Sequence, residues 1–141
     1  MAANSRFAMG VHALALLASD PERTVTSEEI AESIDTNPVV VRRILSSLQD
    51  AGLVSSQKGP TGGSRLAQTA KKISLADIYQ AIEKKPVFQV PYSSAKVKSG
   101  HAKKVASAVK DVFRSADEAV VAELSGMSLS QIVKHTVRGK K

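Results

Sequence analysis

The chain has 141 residues, of which 43% are apolar and 4% aromatic, and it contains no cysteine. This length suits one core or one domain with an appendage, and the lack of cysteine excludes disulfides, thiol switches and cysteine-ligated metal or iron–sulfur sites. Because no apolar run reaches about 18 residues and the N-terminus does not resemble a secretory signal, the sequence predicts a soluble cytoplasmic protein.

The positive charge is unevenly distributed along the chain, whose formal net charge is +7. Residues 1–37 hold two basic and six acidic residues, whereas residues 38–72 hold six basic residues against Asp50. Residues 73–141 add twelve basic and six acidic residues. The excess favours a polyanionic partner such as nucleic acid, although a solvated surface stripe would give the same composition.

Residues 5–19 are predicted to form the first helix, with Ser5 as its N-cap. Its apolar residues share one broad face: Phe7, Val11, Leu14 and Leu17. Arg6 lies in the first turn and could reach a DNA phosphate or could equally be a surface arginine. His12 is interpreted as buried or facing a dimer partner rather than as a metal ligand, because no second ligand lies near it in sequence.

A second helix is predicted after a loop over residues 20–25. Thr26 and Glu29 have the spacing of a capping box, and the helix that they open should end at residue 33 or 34. Its acidic side chains discourage contact with DNA along its length, whereas the amides at its N-terminus, at Ser27, can donate to a phosphate.

The third helix follows a short turn and begins with Asn37 as N-cap and Pro38 in the first position. One stripe repeats at helical spacing and should face a core: Val40, Val41, Ile44, Leu45 and Leu48. Arg42 and Arg43 lie mostly outside this stripe and point outward. Gly52 suits the left-handed residue that ends a helix. Two short helices joined by such a turn form a helix-turn-helix.

A hairpin is predicted directly after the third helix. Residues 53–56 read as a short strand, and the glycines and proline of residues 59–63 break any helix and suit a tight turn. The fold class is therefore mainly α with a small β-hairpin wing, that is, a winged helix-turn-helix. Ser74 and Asp77 then cap a helix over residues 75–84. We divide the chain into a DNA-binding domain (1–85), a loop (86–100) and a C-terminal segment (101–141).

The longest predicted helix spans residues 101–124. Its apolar residues step mostly by three and four: Val105, Val109, Val112, Phe113, Ala116, Val120 and Leu124. Such a helix beyond a complete DNA-binding domain favours a second copy of the chain as its partner, although it could instead pack on its own subunit. Gly126 should end it. Ser128 and Gln131 cap a short helix through Val133, and the tail 138–141 should be frayed.

Several motifs resemble those of one bacterial family. They are Ser5-Arg6-Phe7-Ala8, Asn37-Pro38-Val39-Val40-Val41-Arg42-Arg43-Ile44, Ala51-Gly52-Leu53-Val54, Gly59-Pro60-Thr61-Gly62-Gly63 with Leu66, residues 73–78 and residues 128–133. Together they cover nearly the whole chain and resemble the Rrf-two family of winged-helix regulators, the group that contains IscR, NsrR and CymR. The similarity is greatest to the cysteine-poor YwnA-like branch.

The resemblance implies a homodimer whose long helices cross and whose winged domains bind a palindromic operator. By motif position, the residues implied at the major groove are Asn37, Pro38, Val39, Arg42 and Arg43. Those implied at the minor groove are Lys58 and the wing glycines Gly59, Gly62 and Gly63. An arginine that grips guanine discriminates by about 1–3 kcal/mol, and a narrow minor groove attracts cations.

Two departures from the family pattern matter. Ser64 stands where many members have an aromatic residue, so we expect a more loosely anchored wing, with Arg65 free to contact a phosphate. The loop 86–100 lacks the sensing cysteines, and His101 by itself cannot hold a cluster. The sequence therefore predicts no iron–sulfur cluster, no metal site and no other cofactor.

The leading hypothesis is a homodimeric, sequence-specific DNA-binding regulator that acts as a repressor. The alternative is a winged-helix protein-interaction module that has lost DNA binding. An enzyme is disfavoured, because no catalytic nucleophile–base set is present and the glycine loop lacks the Lys-Ser/Thr of a P-loop. A small apolar effector could bind between subunits against four aromatic residues: Tyr79, Phe88, Tyr92 and Phe113.

Overall fold

The computed structural model describes residues 4–90 and 96–138, with side chains described as far as residue 135. The helices are α1 (Ser5–Ser19), α2 (Ser27–Ser33), α3 (Pro38–Asp50), α4 (Leu75–Ile82), α5 (Gly100–Ser125) and α6 (Leu129–Arg138). The strands β1 (Val54–Gln57) and β2 (Gly63–Leu66) form an antiparallel hairpin, followed by a 3₁₀ turn at Ala70–Lys72. The predicted fold class, a winged helix-turn-helix with a long C-terminal helix, is confirmed.

Side-chain caps start five of the helices, with Ser99 capping α5 and Ser128 capping α6. The Thr26 hydroxyl accepts from the Glu29 amide at 3.1 Å, and the Glu29 carboxylate accepts from the Thr26 amide. Ser74 and Asp77 form the same reciprocal pair at the start of α4. At α3, the Asn37 side chain accepts from the Val39 amide. These bonds satisfy amides that the first helical turn leaves without partners.

One aliphatic core lies under the helix-turn-helix. Its fully buried large side chains come from five helices and one connecting segment: Leu14, Leu17, Ile30, Val41, Ile44, Leu48, Ile73, Ile78 and Leu129. The predicted stripe of α3 faces this core, with Val40 half-buried at its edge. Tyr79 is also buried, and its ring meets Phe7 edge-on with the centroids 5.3 Å apart.

The wing is joined to the domain by a third, single-residue strand. Val25 forms an antiparallel bridge with Ser64: the Val25 amide donates to the Ser64 carbonyl at 2.9 Å, and the Ser64 amide donates to the Val25 carbonyl at 2.8 Å. Ser64 is buried. Two main-chain hydrogen bonds thus fasten the wing to Val25, and the expectation that a serine in place of an aromatic residue loosens it stays a prediction.

The long helix α5 stands apart from this core, while the chain returns to the core after it. Ala106 is the one buried residue among those of α5, and α5 packs against α4. After Gly126, a bridge pairs Ser128 with Ser74, the Leu129 amide donates to the Ile73 carbonyl and the Leu75 amide donates to the Met127 carbonyl. The helix α6 then packs on α1.

Several local predictions need correction. Ser5 is the first helical residue rather than the N-cap, which is Asn4. His12 is exposed in the protomer and lies 3.1 Å from the Ser33 hydroxyl, so it is not buried, and the alternative that it faces a dimer partner stays a prediction. The helix α4 ends at Ile82 rather than residue 84, and α6 extends to Arg138 rather than Val133. The rest of the tail predicted as frayed lies outside the described residues.

Candidate nucleic-acid interface

An open groove of about 500 Å³ lies between the start of α2, the outer side of α3 and the wing. Polar and glycine residues make up nearly all of its lining, among them Ser27, Glu28, Arg42, Gln49, Lys58, Gly59, Gly62 and Gly63. Hydroxyl, amide, guanidinium and ammonium groups in such a concave strip can donate hydrogen bonds to phosphates and base edges. The groove therefore unites the helix and wing that the sequence singled out.

The N-terminal turn of α3 projects from the domain. Asn37 and Pro38 start the helix, and the Asn37 side chain is turned inward on the Val39 amide at 2.8 Å. Val39 is 47% exposed, an unusual position for a large apolar side chain. An exposed valine of this kind can contact the methyl group of thymine.

Arg42 does not project freely, since it is paired with an acid of the preceding helix. Its Nη2 atom lies 2.6 Å from Oε1 of Glu28. A backbone hydrogen bond at Glu28, together with the Arg42 guanidinium, holds the pKa of the Glu28 carboxyl below its ordinary value. The neighbouring Arg43 is exposed and has no carboxylate partner among the residues that the structure describes.

The wing tip is built by glycines whose positions exclude a side chain. Gly59 has a φ of 106°. A Cβ added to Gly63 would lie 2.8 Å from the Val25 carbonyl oxygen, and one added to Gly62 would collide with the Gln57 carbonyl. Lys58, at the end of β1, is exposed. The double glycine thus lets the hairpin turn tightly against both β1 and Val25 while Lys58 stays free to contact a ligand.

Arg65 and Arg6 lie elsewhere. The Arg65 guanidinium points to the loop before α2, where it lies 3.4 Å from the Glu22 carbonyl oxygen and 3.5 Å from the Glu22 carboxylate. Arg6 is exposed and lines a separate depression with Glu83 and Lys84. The structure therefore does not bring these two arginines into the groove with Arg42.

Sequence reasoning missed the pairing of acids with arginines, of which one pair, Glu28 with Arg42, lines the groove. Glu28, Glu22 and Glu29 bind Arg42, Arg65 and Arg23 respectively, so that acids of residues 22–29 neutralise part of the basic segment. The signal was present in the helix-turn-helix itself, which sets the start of α2 beside the outward side of α3. Charge counted along the chain could not show it, because the partners are up to 43 residues apart.

The predicted dimerisation residues divide between two sides of α5. Val105 and Val112 are exposed, at 48% and 64%. The others are partly buried: Val109, Phe113, Ala116, Val120 and Leu124.

Phe113 also belongs to a cavity beside α5. Its ring lies 5.5 Å from that of Phe88, centroid to centroid. Both rings line a cavity of about 710 Å³ between α5 and residues 86–90. Tyr92, grouped with them from sequence, lies outside the described residues.

The residues of this chain do not fit an iron centre. The sequence has no cysteine, and no group of three His, Asp or Glu side chains within residues 4–90 and 96–135 could hold a metal ion. Fe–S clusters and mononuclear iron sites need several such ligands at one place.

In the described segments, none of the helices combines the length and apolar character that crossing a membrane requires.

Comparison with known proteins agrees with this geometry. Residues 3–135 match the Rrf2 family, described as iron-dependent transcriptional regulators. The chain is 37% identical over 132 residues to YwnA of Bacillus subtilis (strain 168), a candidate HTH-type transcriptional regulator, covering 94% of this chain and 97% of that one.

Solved structures give the same result. A crystal structure of a candidate DNA-binding protein is 35% identical, with a TM-score of 0.73 over 91% of this chain and 98% of that one. IscR of T. potens is 22% identical and has the same fold, with a TM-score of 0.73 over 100% of this chain and 92% of that one.

Proposed function

The chain belongs to the Rrf2 family and is a DNA-binding transcriptional regulator rather than an enzyme; we propose that it acts as a homodimeric repressor of a palindromic operator, without an iron–sulfur cluster. The observation that carries this proposal is the groove itself, in which the outer side of α3, from Arg42 to Gln49, and the glycine wing flank one concave strip. A cytoplasmic location goes with this role, because the operator is on the chromosome.

The proposed contacts combine residues that line the groove with others that lie outside its lining, namely Asn37, Pro38, Val39, Arg43, Arg6 and Arg65. Asn37, Pro38 and Val39 enter the major groove with Arg42 and Arg43, which read base edges. Lys58 and the wing glycines Gly59, Gly62 and Gly63 follow the minor groove, where a close main-chain approach and a cation are favourable. Ser27, Arg6 and Arg65 are assigned to phosphates, and Arg65 must first leave Glu22.

The proposed dimer uses the side of α5 that the protomer leaves uncovered. Val105 and Val112 lie seven residues apart, on one side of the helix, and are exposed at 48% and 64%. A second α5 would bury them, as cyclic dimers bury matching surfaces. Val112→Asp should therefore give a monomer in sedimentation-velocity experiments, while the control Ser107→Asp, which adds the same charge elsewhere on α5, stays dimeric. The same result for both variants, either two monomers or two dimers, would contradict this interface.

The test of operator recognition is selection of fragments from sheared genomic DNA by the purified protein. We expect an enriched palindrome whose half-sites are separated by about one helical turn, and reduced transcription from that fragment in vitro when the protein is added. Arg42→Ala/Arg43→Ala should lose the sequence preference. The matched control is Lys103→Ala/Lys104→Ala, which removes two adjacent exposed cations from α5.

Two results would contradict operator recognition. An equal loss of sequence preference in both double variants would indicate a non-specific effect of removing cations. An absence of any enriched fragment at about 100 mM salt would indicate a protein-interaction module instead of a DNA-binding regulator. In the latter case the Arg42→Ala/Arg43→Ala variant would still bind its protein partner.

The cavity beside α5 supports a small apolar effector as a further part of this proposal. Its walls include Pro86, Phe88, Val90, Phe113 and Val121, and its volume of about 710 Å³ is within the range of ligand pockets. In thermal-shift assays with a panel of small uncharged apolar compounds, binding should raise the Tm of the wild type but not of Phe113→Asp. A panel that shifts neither protein would reject this class of effector.

A further inference from the structure

The arginine expected to read bases is bound to a carboxylate of its own chain when DNA is absent. Arg42 Nη2 lies 2.6 Å from Glu28 Oε1, a distance typical of a charge-assisted hydrogen bond. Both side chains remain more than half exposed, at 55% and 62%. The pair is thus accessible to an incoming ligand and is weak enough, as exposed ion pairs are, for that ligand to displace it.

The location of Glu28 makes the carboxylate part of the surface that DNA would meet. Glu28 and Arg42 both line the groove between α2, α3 and the wing, opposite Lys58 and Gly59. A phosphate that approaches Arg42 therefore meets a negative charge beside it. A guanine edge presents the neutral acceptors O6 and N7, so the same carboxylate repels guanine much less than it repels phosphate.

We infer that Glu28 is a specificity-determining residue that competes with phosphate for Arg42 and so lowers affinity for arbitrary DNA more than affinity for the operator. The inference rests on the proposed reading of bases by Arg42. One guanidinium nitrogen binds Glu28, which leaves the remaining donors of the arginine for a base edge. While the pair persists, Glu28 balances the charge of Arg42, so a phosphate gains less from this arginine than from an unpaired one, whereas a neutral base edge loses little.

The matched control for Glu28 is Glu32. It lies one turn further along α2, is exposed, does not line the groove and makes no ion pair with any residue in the described ranges. Glu29 is unsuitable, because it closes the capping box with Thr26 and binds Arg23. Glu28→Gln and Glu32→Gln thus remove the same charge from the same helix, and both leave the capping box intact.

The experiment measures binding of the full chain to a random-sequence duplex and to the selected operator by fluorescence anisotropy, between about 50 and 200 mM salt. We expect Glu28→Gln to bind the random duplex three- to tenfold more tightly. Its plot of log K against log salt should steepen by about 0.9, the contribution of one additional phosphate contact. Affinity for the operator should rise less, so that the operator-to-random ratio falls at least twofold.

Glu32→Gln should change either affinity by less than twofold. In an Arg42→Ala background, Glu28→Gln should also have less than a twofold effect, because the competition acts through Arg42. A purely structural role of Glu28 would not produce this dependence on Arg42 or the change in salt slope.

Three results would overturn the inference. In the first, Glu28→Gln and Glu32→Gln have equal effects. In the second, Glu28→Gln weakens operator binding more than random binding, which would make Glu28 a support that positions Arg42. In the third, the effect of Glu28→Gln persists without Arg42. If the wild-type chain prefers no DNA sequence, operator recognition itself is overturned. The role of Glu28 in selectivity, which rests on operator recognition, is then overturned as well.

Discussion

Replacement of Gly63 by alanine tests how the wing is fastened to the domain. The φ of Gly63 is 149°, and an added Cβ would lie 2.8 Å from the Val25 carbonyl oxygen and 2.9 Å from its carbonyl carbon. Both atoms belong to the main chain, so no side-chain rotation relieves the contact. The strand β2 must move away from Val25, and that movement breaks the two hydrogen bonds between Val25 and Ser64.

The expected loss can be worked out from these two effects. Holding a residue other than glycine in this conformation costs about 1–3 kcal/mol, and each lost hydrogen bond contributes about 1 kcal/mol net. Together they predict that Gly63→Ala lowers the free energy of unfolding by about 3–5 kcal/mol. Gly52 is the control, since its φ is 77° and nothing lies within 4 Å of an added Cβ. Gly52→Ala should cost about 1 kcal/mol.

Urea denaturation followed by circular dichroism would compare the two alanine variants. Amide exchange would locate the change, since the Val25 and Ser64 amides should lose protection in Gly63→Ala and keep it in Gly52→Ala. If Gly63→Ala is no less stable than Gly52→Ala, or if both amides stay protected, the bridge to Val25 does not fasten the wing and the reasoning is refuted.

Three further predictions concern the core, a cap and a titration. Leu48 is fully buried, so Leu48→Ala should lower the free energy of unfolding in urea by about 2–5 kcal/mol; a loss below 1 kcal/mol would mean that the site collapses or is open. Thr26→Ala should cost about 1 kcal/mol, and Thr26→Ser, which keeps the hydroxyl, much less; equal losses would exclude the cap as the cause. Burial, with the charges of Asp117 and Glu83, raises the pKa of Tyr79. The folded state therefore holds this proton more tightly than the unfolded state, so Tm should fall as the pH rises above about 10, and Tyr79→Phe should reduce that fall. A fall of the same size in Tyr79→Phe would assign it to other groups.

The features that could be predicted from sequence are those whose partners lie within one helical turn. The Thr26–Glu29, Ser74–Asp77 and Ser128–Gln131 caps join residues three apart. Helical spacing likewise identified the buried stripe of α3, because three- and four-residue steps place side chains on one face. The motifs quoted for the family resemblance also led to the correct family and fold.

The features that could not be predicted depend on contacts between distant segments. The bridge from Val25 to Ser64 joins the wing to a segment 39 residues earlier in the chain. The pairing of Glu28 with Arg42 places a negative charge beside an arginine of the groove. The amino-acid composition does not show this, because it does not say which residues are neighbours in space. The role of the groove residues stays a prediction, since contacts with DNA are a property of the complex.

The return of the chain after α5 also affects how the domain folds during synthesis. The first helix packs against the last one, and Leu129 completes a core that Leu14 and Leu17 begin. About 110 residues separate α1 from α6, which a ribosome adds in roughly 5–20 s at 5–20 residues per second. During that interval the apolar face of α1 lacks one of its partners, and closing such a distant contact costs loop entropy. The DNA-binding core is therefore completed late, when α6 has emerged, and a nascent chain halted within α5 would present an unfinished core to chaperones and proteases.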